Sequence, residues 1–199
     1  MKRFRLFAAA LALALALPLS AHAAEAGAAT PSYDEVFKVP QSAISAITNN
    51  AGHYGRSVIQ NAVDGNSATH WETNTPNRTN FLNKVTITLS ESYELDRLNY
   101  LVRQDGARPK GFPLSYRLYY STEATGDSFQ LLKEGSFAQS SGSAVDITFA
   151  PTAMRRFQLE FVQAQGDWAS AAELSLYKPD PLREEMAGLF TDNTFSALN

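Results

Sequence analysis

Between residues 85 and 177 apolar and polar positions mostly alternate, the period of strands with one face buried and one face wet. The alternation predicts strands at 85–89, 98–102, 116–120, 145–149, 157–161 and 174–177, all rich in β-branched or aromatic residues. Turn chemistry separates them at Ser90-Glu91-Ser92, 106–111, Thr125-Gly126-Asp127, Ser140-Ser141-Gly142 and Gln165-Gly166-Asp167. Short strands at this spacing predict an all-β antiparallel sandwich, with residues 57–63 forming a short helical turn ahead of an oxygen-rich loop.

The pattern changes at both ends. Residues 1–23 read as a signal peptide: Met1-Lys2-Arg3-Phe4-Arg5 is a basic start, 6–17 is an Ala/Leu run too short for a comfortable membrane span, and Ala21-His22-Ala23 fits a peptidase site. The expected location is therefore outside the cytoplasm: periplasmic, cell-surface or secreted. Residues 24–43 read as a leader or linker, 44–178 as one domain, and 179–199 as a helical linker toward a further domain. In that last segment Asp180 suits a cap, Pro181 a first helical position, and Leu182, Met186, Leu189 and Phe190 an apolar stripe. The stripe either folds back on the sandwich or leads onward, and the chain reads as a fragment or truncated product, expected as a monomer or covalently linked to more protein. Cleavage after Ala23 would move the balance from 17 cationic against 20 anionic residues to 14 against 20, a mildly acidic surface ill suited to nucleic acid. With no cysteine in the chain, stability must come from a core and from any bound metal.

Three distant stretches carry the candidate chemistry: 61–71 (Asn-Ala-Val-Asp-Gly-Asn-Ser-Ala-Thr-His-Trp), Arg103-Gln104-Asp105-Gly106, and 171–177. Asp64, Thr69 and Glu173 offer hard oxygen ligands of the type calcium collects, although Asp64-Gly65-Asn66 is also an ordinary tight turn. Only His53 and His70 remain after residue 23, and neither a His-Glu-x-x-His helix, a Gly-x-Ser-x-Gly elbow nor a Cys nucleophile occurs, so a catalytic role is not expected of this segment alone.

With Asn-Ala-x-Asp-Gly-Asn-x-x-Thr-x-Trp at 61–71, Tyr100-Leu101-Val102-Arg103-Gln104-Asp105-Gly106, Tyr116-x-Leu-Tyr-x-Ser121 and Ser170-Ala171-Ala172-Glu173-Leu174, the chain resembles the discoidin-like family. That family joins the type C domains of coagulation factors V and VIII to the bacterial family 32 carbohydrate-binding modules, and the resemblance spans roughly residues 44–178. It implies a galactose-binding-like jelly roll with a structural calcium. The implied ligands are the Asp64 and Glu173 carboxylates, the Thr69 hydroxyl or carbonyl, and main-chain carbonyls at Asn61, Asn66 and Ala172.

The resemblance also implies a glycan partner, ended by galactose or N-acetylgalactosamine, in loops at one end of the sandwich. Arg103 matches the family's sugar-contacting arginine and Trp168 stands where an aromatic platform is common. Glu72 replaces the usual His after Trp71, and Lys110 replaces the usual Asn, so both are read as polar substitutes. Alternatives stay open: Arg103 could simply pair with Asp105 or Glu72, Trp71 could be core, Trp168 could pack under its loop, and His70 could merely flank the turn. His53 and Tyr54 sit on a loop that could border the site. The tail at 177–192 is similar to the link in enhancin-like, mucin-degrading zinc metallopeptidases, which would make the chain an accessory module. Other readings are a protein or phospholipid adhesion domain, using Phe112 and Phe81 beside Arg108, Lys110 and Arg78, or a non-binding spacer.

Overall fold

A computed structural model describes residues 33–137 and 144–182. All six expected strands are present, but two pairs of them are fused. The elements are a short helix Tyr33–Phe37, β1 (Ile44–Asn49), β2 (Trp71–Glu72), β3 (Asn83–Leu101), β4 (Pro113–Ser121), β5 (Gln130–Ser136), β6 (Ala144–Ala164), β7 (Ser170–Ala171) and β8 (Glu173–Tyr177). The main sheet runs β1-β3-β6-β4-β5 with β8 also on β3, every pairing antiparallel, and β2 pairs with β7. The first part of β3 lies between β1 and the second part of β6, whereas its last part lies between β8 and the first part of β6. Both long strands therefore pass from one layer of a jelly-roll sandwich into the other.

Ser90-Glu91-Ser92 was expected to be a turn, yet it lies inside β3, where the register to β6 shifts between Thr88 and Tyr93. A second shift lies between Leu95 and Arg97. Across it two steps along β3 are matched by four along β6, so the extra residues lie in β6, and Leu95, Asp96, Arg97 and Leu98 are buried in succession, both faces of β3 being covered there. Exposed polar residues at the bend misled the alternation because a bulge, like a turn, breaks the period. The expected helical turn appears as a 3-10 helix at Ile59–Val63.

Fully buried Trp71, Tyr100, Phe112, Phe157 and Phe161 form the aromatic part of the core. Trp71 and Tyr100 both meet Phe161 edge-on, at centroid distances of 6.1 and 6.5 Å, and Tyr100 meets Phe112 at 5.7 Å. This cluster lies beneath β2 and β7.

The domain reaches further back than the boundary expected at Ile44. Val39 N–H donates to Leu176 O (2.8 Å), Lys178 N–H donates to Phe37 O (2.8 Å), and Val39 and Ala43 are buried. At the other end Leu182 N–H donates to Asp180 Oδ1 (3.0 Å), as a cap requires. The signal peptide, the leader up to Ser32, the Ser140-Ser141-Gly142 turn and the rest of the C-terminal helical segment lie outside the described residues. Among those described, no helix is long and apolar enough to cross a membrane.

Phe161→Ala removes the ring shared by Trp71 and Tyr100 and is expected to cost about 3–5 kcal/mol in denaturant unfolding. A loss below about 1 kcal/mol would show that this cluster is not central to the core.

Candidate functional site

The 3-10 helix ends at Asp64, and Gly65 takes φ +76°, a value that favours glycine. Asp64 Oδ1 accepts from Asn66 N–H (2.8 Å) and Oδ2 from the Thr69 hydroxyl (2.7 Å). Asn66 Oδ1 accepts from Ala68 N–H (3.1 Å), and Asn66 O accepts from Thr69 N–H (3.0 Å) and the Thr69 hydroxyl (2.9 Å). The tight-turn reading of this stretch therefore holds, and the same turn gathers Asp64, Asn66 and Thr69. Asn61 anchors the loop through side-chain bonds to His70 O (2.9 Å) and Arg56 O (3.3 Å).

Glu173 opens β8 and lies against the Asp64 carboxyl. Burial first, then the hydrogen bond and like charge of Asp64, push its carboxyl up to about 7; N–H groups of Asn66 and Gly65 act in the opposite sense. Glu173 Oε1 is buried with no hydrogen-bond partner. Ala172, buried beside it, gives its N–H to Leu101 O (2.9 Å). Two facing carboxyls, one with an orphaned oxygen, and an adjoining hydroxyl and carbonyls form an oxygen-only donor set that fits a hard divalent cation. Among the described residues no group of three His, Cys, Asp or Glu forms a metal cluster, so hydroxyl and carbonyl oxygens would have to complete any coordination.

A second cluster centres on Arg103, which is buried. Its Nε and Nη2 donate to Asp105 Oδ1 and Oδ2 at 2.7 Å each, a two-pronged charged pair. Nη1 stands 2.9 Å from Glu72 Oε2, and Nη2 stands 2.9 Å from His70 Nε2. Because guanidinium only donates, His70 Nε2 accepts toward it, and the ring lies 3.1 Å from Ser57 Oγ. Burial, followed by the Arg103 charge, lowers the His70 pKa, against the opposing pull of Asp105 and Glu72. Hydrogen bonding by Arg103 holds the Asp105 carboxyl at about 2. Arg103 thus pairs with both carboxylates that could claim it. Its side chain is 6% exposed against 18% for Glu72 and 41% for Asp105, so the acceptor oxygens are what the cluster shows to solvent.

Glu72 sits opposite Ser170 in the β2–β7 pair, which draws in the neighbouring loops. Ser170 N–H donates to Gly111 O (3.2 Å), the Ser170 hydroxyl to Lys110 O (2.7 Å), and Gly111 N–H to Gln165 O (2.7 Å). Gly111 has φ +82°, and any Cβ there would overlap Ser170. Beneath them the Tyr100 hydroxyl donates to Ser170 O. Thr73 N–H donates to Ala169 O (2.9 Å) and Asn77 N–H to Asp167 O (2.5 Å), holding the turn whose ring, Trp168, is 39% exposed. Glu72, Lys110 and Trp168 therefore come from adjoining loops, with Arg103 ion-paired to Glu72. A separate cleft of about 310 Å3 runs from Gly65 and Glu173 past Val39, Ile44 and Leu176, outside the Arg103 cluster.

Trp71 is fully buried, as its core reading has it. Phe112 is also fully buried, against Tyr100 and Phe137, so it is no exposed adhesion tip; Phe81 is 37% exposed. His70 does more than flank a turn, since it touches Arg103. Its role was hidden because the contact spans two loops whose meeting no local pattern announces.

The family model of the F5/8 type C domain matches residues 43–174. A structure of the CBM32-1 and CBM32-2 domains of Clostridium perfringens ZmpB in complex with GalNAc is 42% identical (TM-score 0.78), covering 84% of this chain and 42% of that one. A second structure, of the CBM32-1, CBM32-2 and M60 catalytic domains of ZmpB, shows the same identity and TM-score but is covered over only 17% of its length. The A type blood N-acetyl-alpha-D-galactosamine deacetylase of Flavonifractor plautii is 27% identical over 145 residues, which is 72% of this chain and 18% of that enzyme. The chain thus spans a minor part of each relative.

Asp105 ionises in the folded protein at about 2, below its ordinary 3.8, so its pairing stabilises the fold above about pH 4 and is lost as pH falls through 2. Melting temperatures followed from pH 5 to pH 2 should fall more steeply in the parent than in Asp105→Asn. Parallel profiles would contradict the pairing.

Proposed function

Because the chain belongs to the F5/8 type C domain family, we propose that it is an exported carbohydrate-binding module, stabilised by calcium, that holds an attached or partner enzyme on glycans ended by galactose or N-acetylgalactosamine. The observation that carries this reading is the Glu72–Arg103–Asp105 cluster beside the exposed Trp168, in a chain 42% identical to a module pair seen with GalNAc. Arg103 fixes two carboxylates as hydroxyl acceptors, and Trp168 offers a face to the apolar side of a pyranose. Lys110 supplies a donor from the adjoining loop. A single shallow site binds weakly, and tethering would raise its effective concentration on a multivalent surface.

The calcium would be held by the carboxylates of Asp64 and Glu173, the Thr69 hydroxyl, and carbonyls at Asn61, Asn66 and Ala172. When bound it supplies positive charge to a pair of carboxyls that otherwise repel. An attached zinc metallopeptidase of the M60 type is the partner supported by the ZmpB likeness. A His-Glu-x-x-His sequence in the reading frame beyond Asn199 would agree with it.

Titration with N-acetylgalactosamine should show saturable binding by the parent and a loss of at least about tenfold in Arg103→Ala, since that change leaves the Glu72 and Asp105 carboxylates without the guanidinium that holds them in place. Blank titrations with the parent would point to a spacer, and sedimentation with liposomes in place of sugar binding would point to adhesion. A chelator should lower the melting temperature: a cation present at a hundredfold excess over its Kd contributes about 2.7 kcal/mol, or roughly 5–10 °C in a domain of this size. Asp64→Ala should abolish that response. An unchanged parent melting temperature after chelation would remove calcium from the account.

A further inference from the structure

Glu72 uses both of its main-chain groups on a turn that the sugar reading does not employ. Tyr54 N–H donates to Glu72 O (2.8 Å), Glu72 N–H donates to Ser57 O (3.1 Å), and Ser57 N–H closes the turn on Tyr54 O (2.9 Å). The Ser57 hydroxyl also meets His70 Nε2 at 3.1 Å, which ties the same turn to the Arg103 cluster. On its other side Glu72 faces Ser170, and Thr73 N–H reaches Ala169 O. The 54–57 turn, β2 and β7 thus form a narrow three-row ribbon with Glu72 in the middle row. Trp71 is buried on the core side, so its neighbour Glu72 projects from the outer face.

Tyr54 is 68% exposed, the most exposed of the large apolar side chains among the described residues. His53, Gly55 and Arg56 beside it are exposed too, while the main chain beneath is held at every step just described. A ring left in water on a rigid backbone, one row from the carboxylate proposed to read a sugar, is a prepared stacking face. Rows of such a ribbon are about 4.8 Å apart, so Tyr54 and the β7 row leading to Trp168 stand roughly 10 Å from each other across Glu72. That separation is wide for one pyranose to touch both aromatics, but suits two linked sugars.

Resting on the reading of the Arg103 cluster as a sugar site, we propose that the module recognises at least a disaccharide. The terminal sugar occupies Glu72, Asp105 and Trp168, and the penultimate sugar lays its apolar face on Tyr54. Arg56 and His53 border this second position as polar partners for its hydroxyls.

Calorimetric titration of the parent, Tyr54→Ala and Tyr54→Phe with N-acetylgalactosamine and with N-acetylgalactosaminyl-β-1,3-galactose tests this. The parent should bind the disaccharide about fivefold more tightly than the monosaccharide, Tyr54→Ala should lose that margin while keeping its monosaccharide affinity, and Tyr54→Phe should retain it. Equal parent affinity for both sugars would overturn the second position and leave the first intact. So would a Tyr54→Ala variant that keeps the disaccharide margin or weakens both sugars alike. A parent that binds neither sugar would overturn the underlying reading along with it. Matching melting curves for the three proteins keep a folding defect from imitating the effect.

Discussion

The meeting of the loop at 61–72 with the last strands is the constraint on which the rest of this domain depends. Trp71 opposes Ala171, Glu72 opposes Ser170, and the Asp64 carboxyl meets Glu173. Trp71 supplies the apolar part of that closure, edge-on to Phe161. The Asp64–Glu173 contact is different in kind, because two like charges brought together with one buried, unpartnered oxygen favour separation unless a proton or a cation intervenes. The cation we propose there would turn a repulsive contact into a cross-link in a chain with no cysteine, tying an early loop to the last strand as a disulfide does in many secreted domains.

The Arg103 cluster is a consequence of the same closure. Glu72 reaches the guanidinium only because β2 is held between the 54–57 turn and β7. Arg103 lies just after β3, and Asp105 two residues on, so those two partners would find each other in most conformations. His70 and Glu72 would not. The buried charge is therefore half local and half dependent on the fold, and its removal would leave acidic oxygens facing one another at the centre of the site. Lys110 is positioned in turn by Ser170, beside the close approach of Gly111, and the Trp168 turn by the main-chain bonds of Thr73 and Asn77.

Much of this was legible in the sequence, for identifiable reasons. The six strands declared themselves by alternation, and of the two readings left open for Trp71, core or contact, its full burial selects the core. The joining of 85–89 to 98–102 into β3 was hidden because Ser90, Glu91 and Ser92 carry turn-like residues on a bulged strand. β5, Gln130-Leu131-Leu132-Lys133-Glu134-Gly135-Ser136, has no regular alternation to read, since it is an edge strand paired only to β4 and largely exposed. Val39 and Ala43 were assigned to a linker because two buried residues four apart, ahead of the first strand, set no strand period. At the site, Arg103 was found by its motif, but its contact with His70 and the attachment of Tyr54 to Glu72 depend on main-chain bonds between loops that no spacing rule encodes. Phe112 shows the reverse case: flanked by Lys110 and Arg108 it looked like an exposed tip, yet the cleft between Tyr100 and Phe137 takes it in.

The most direct measurement is anomalous diffraction from crystals of this domain grown with calcium. One peak lying about 2.3–2.6 Å from carboxylate oxygens of both Asp64 and Glu173 is the result this account predicts. Ordered density for the loop with no peak between those side chains, their carboxyls instead sharing a proton, would contradict it.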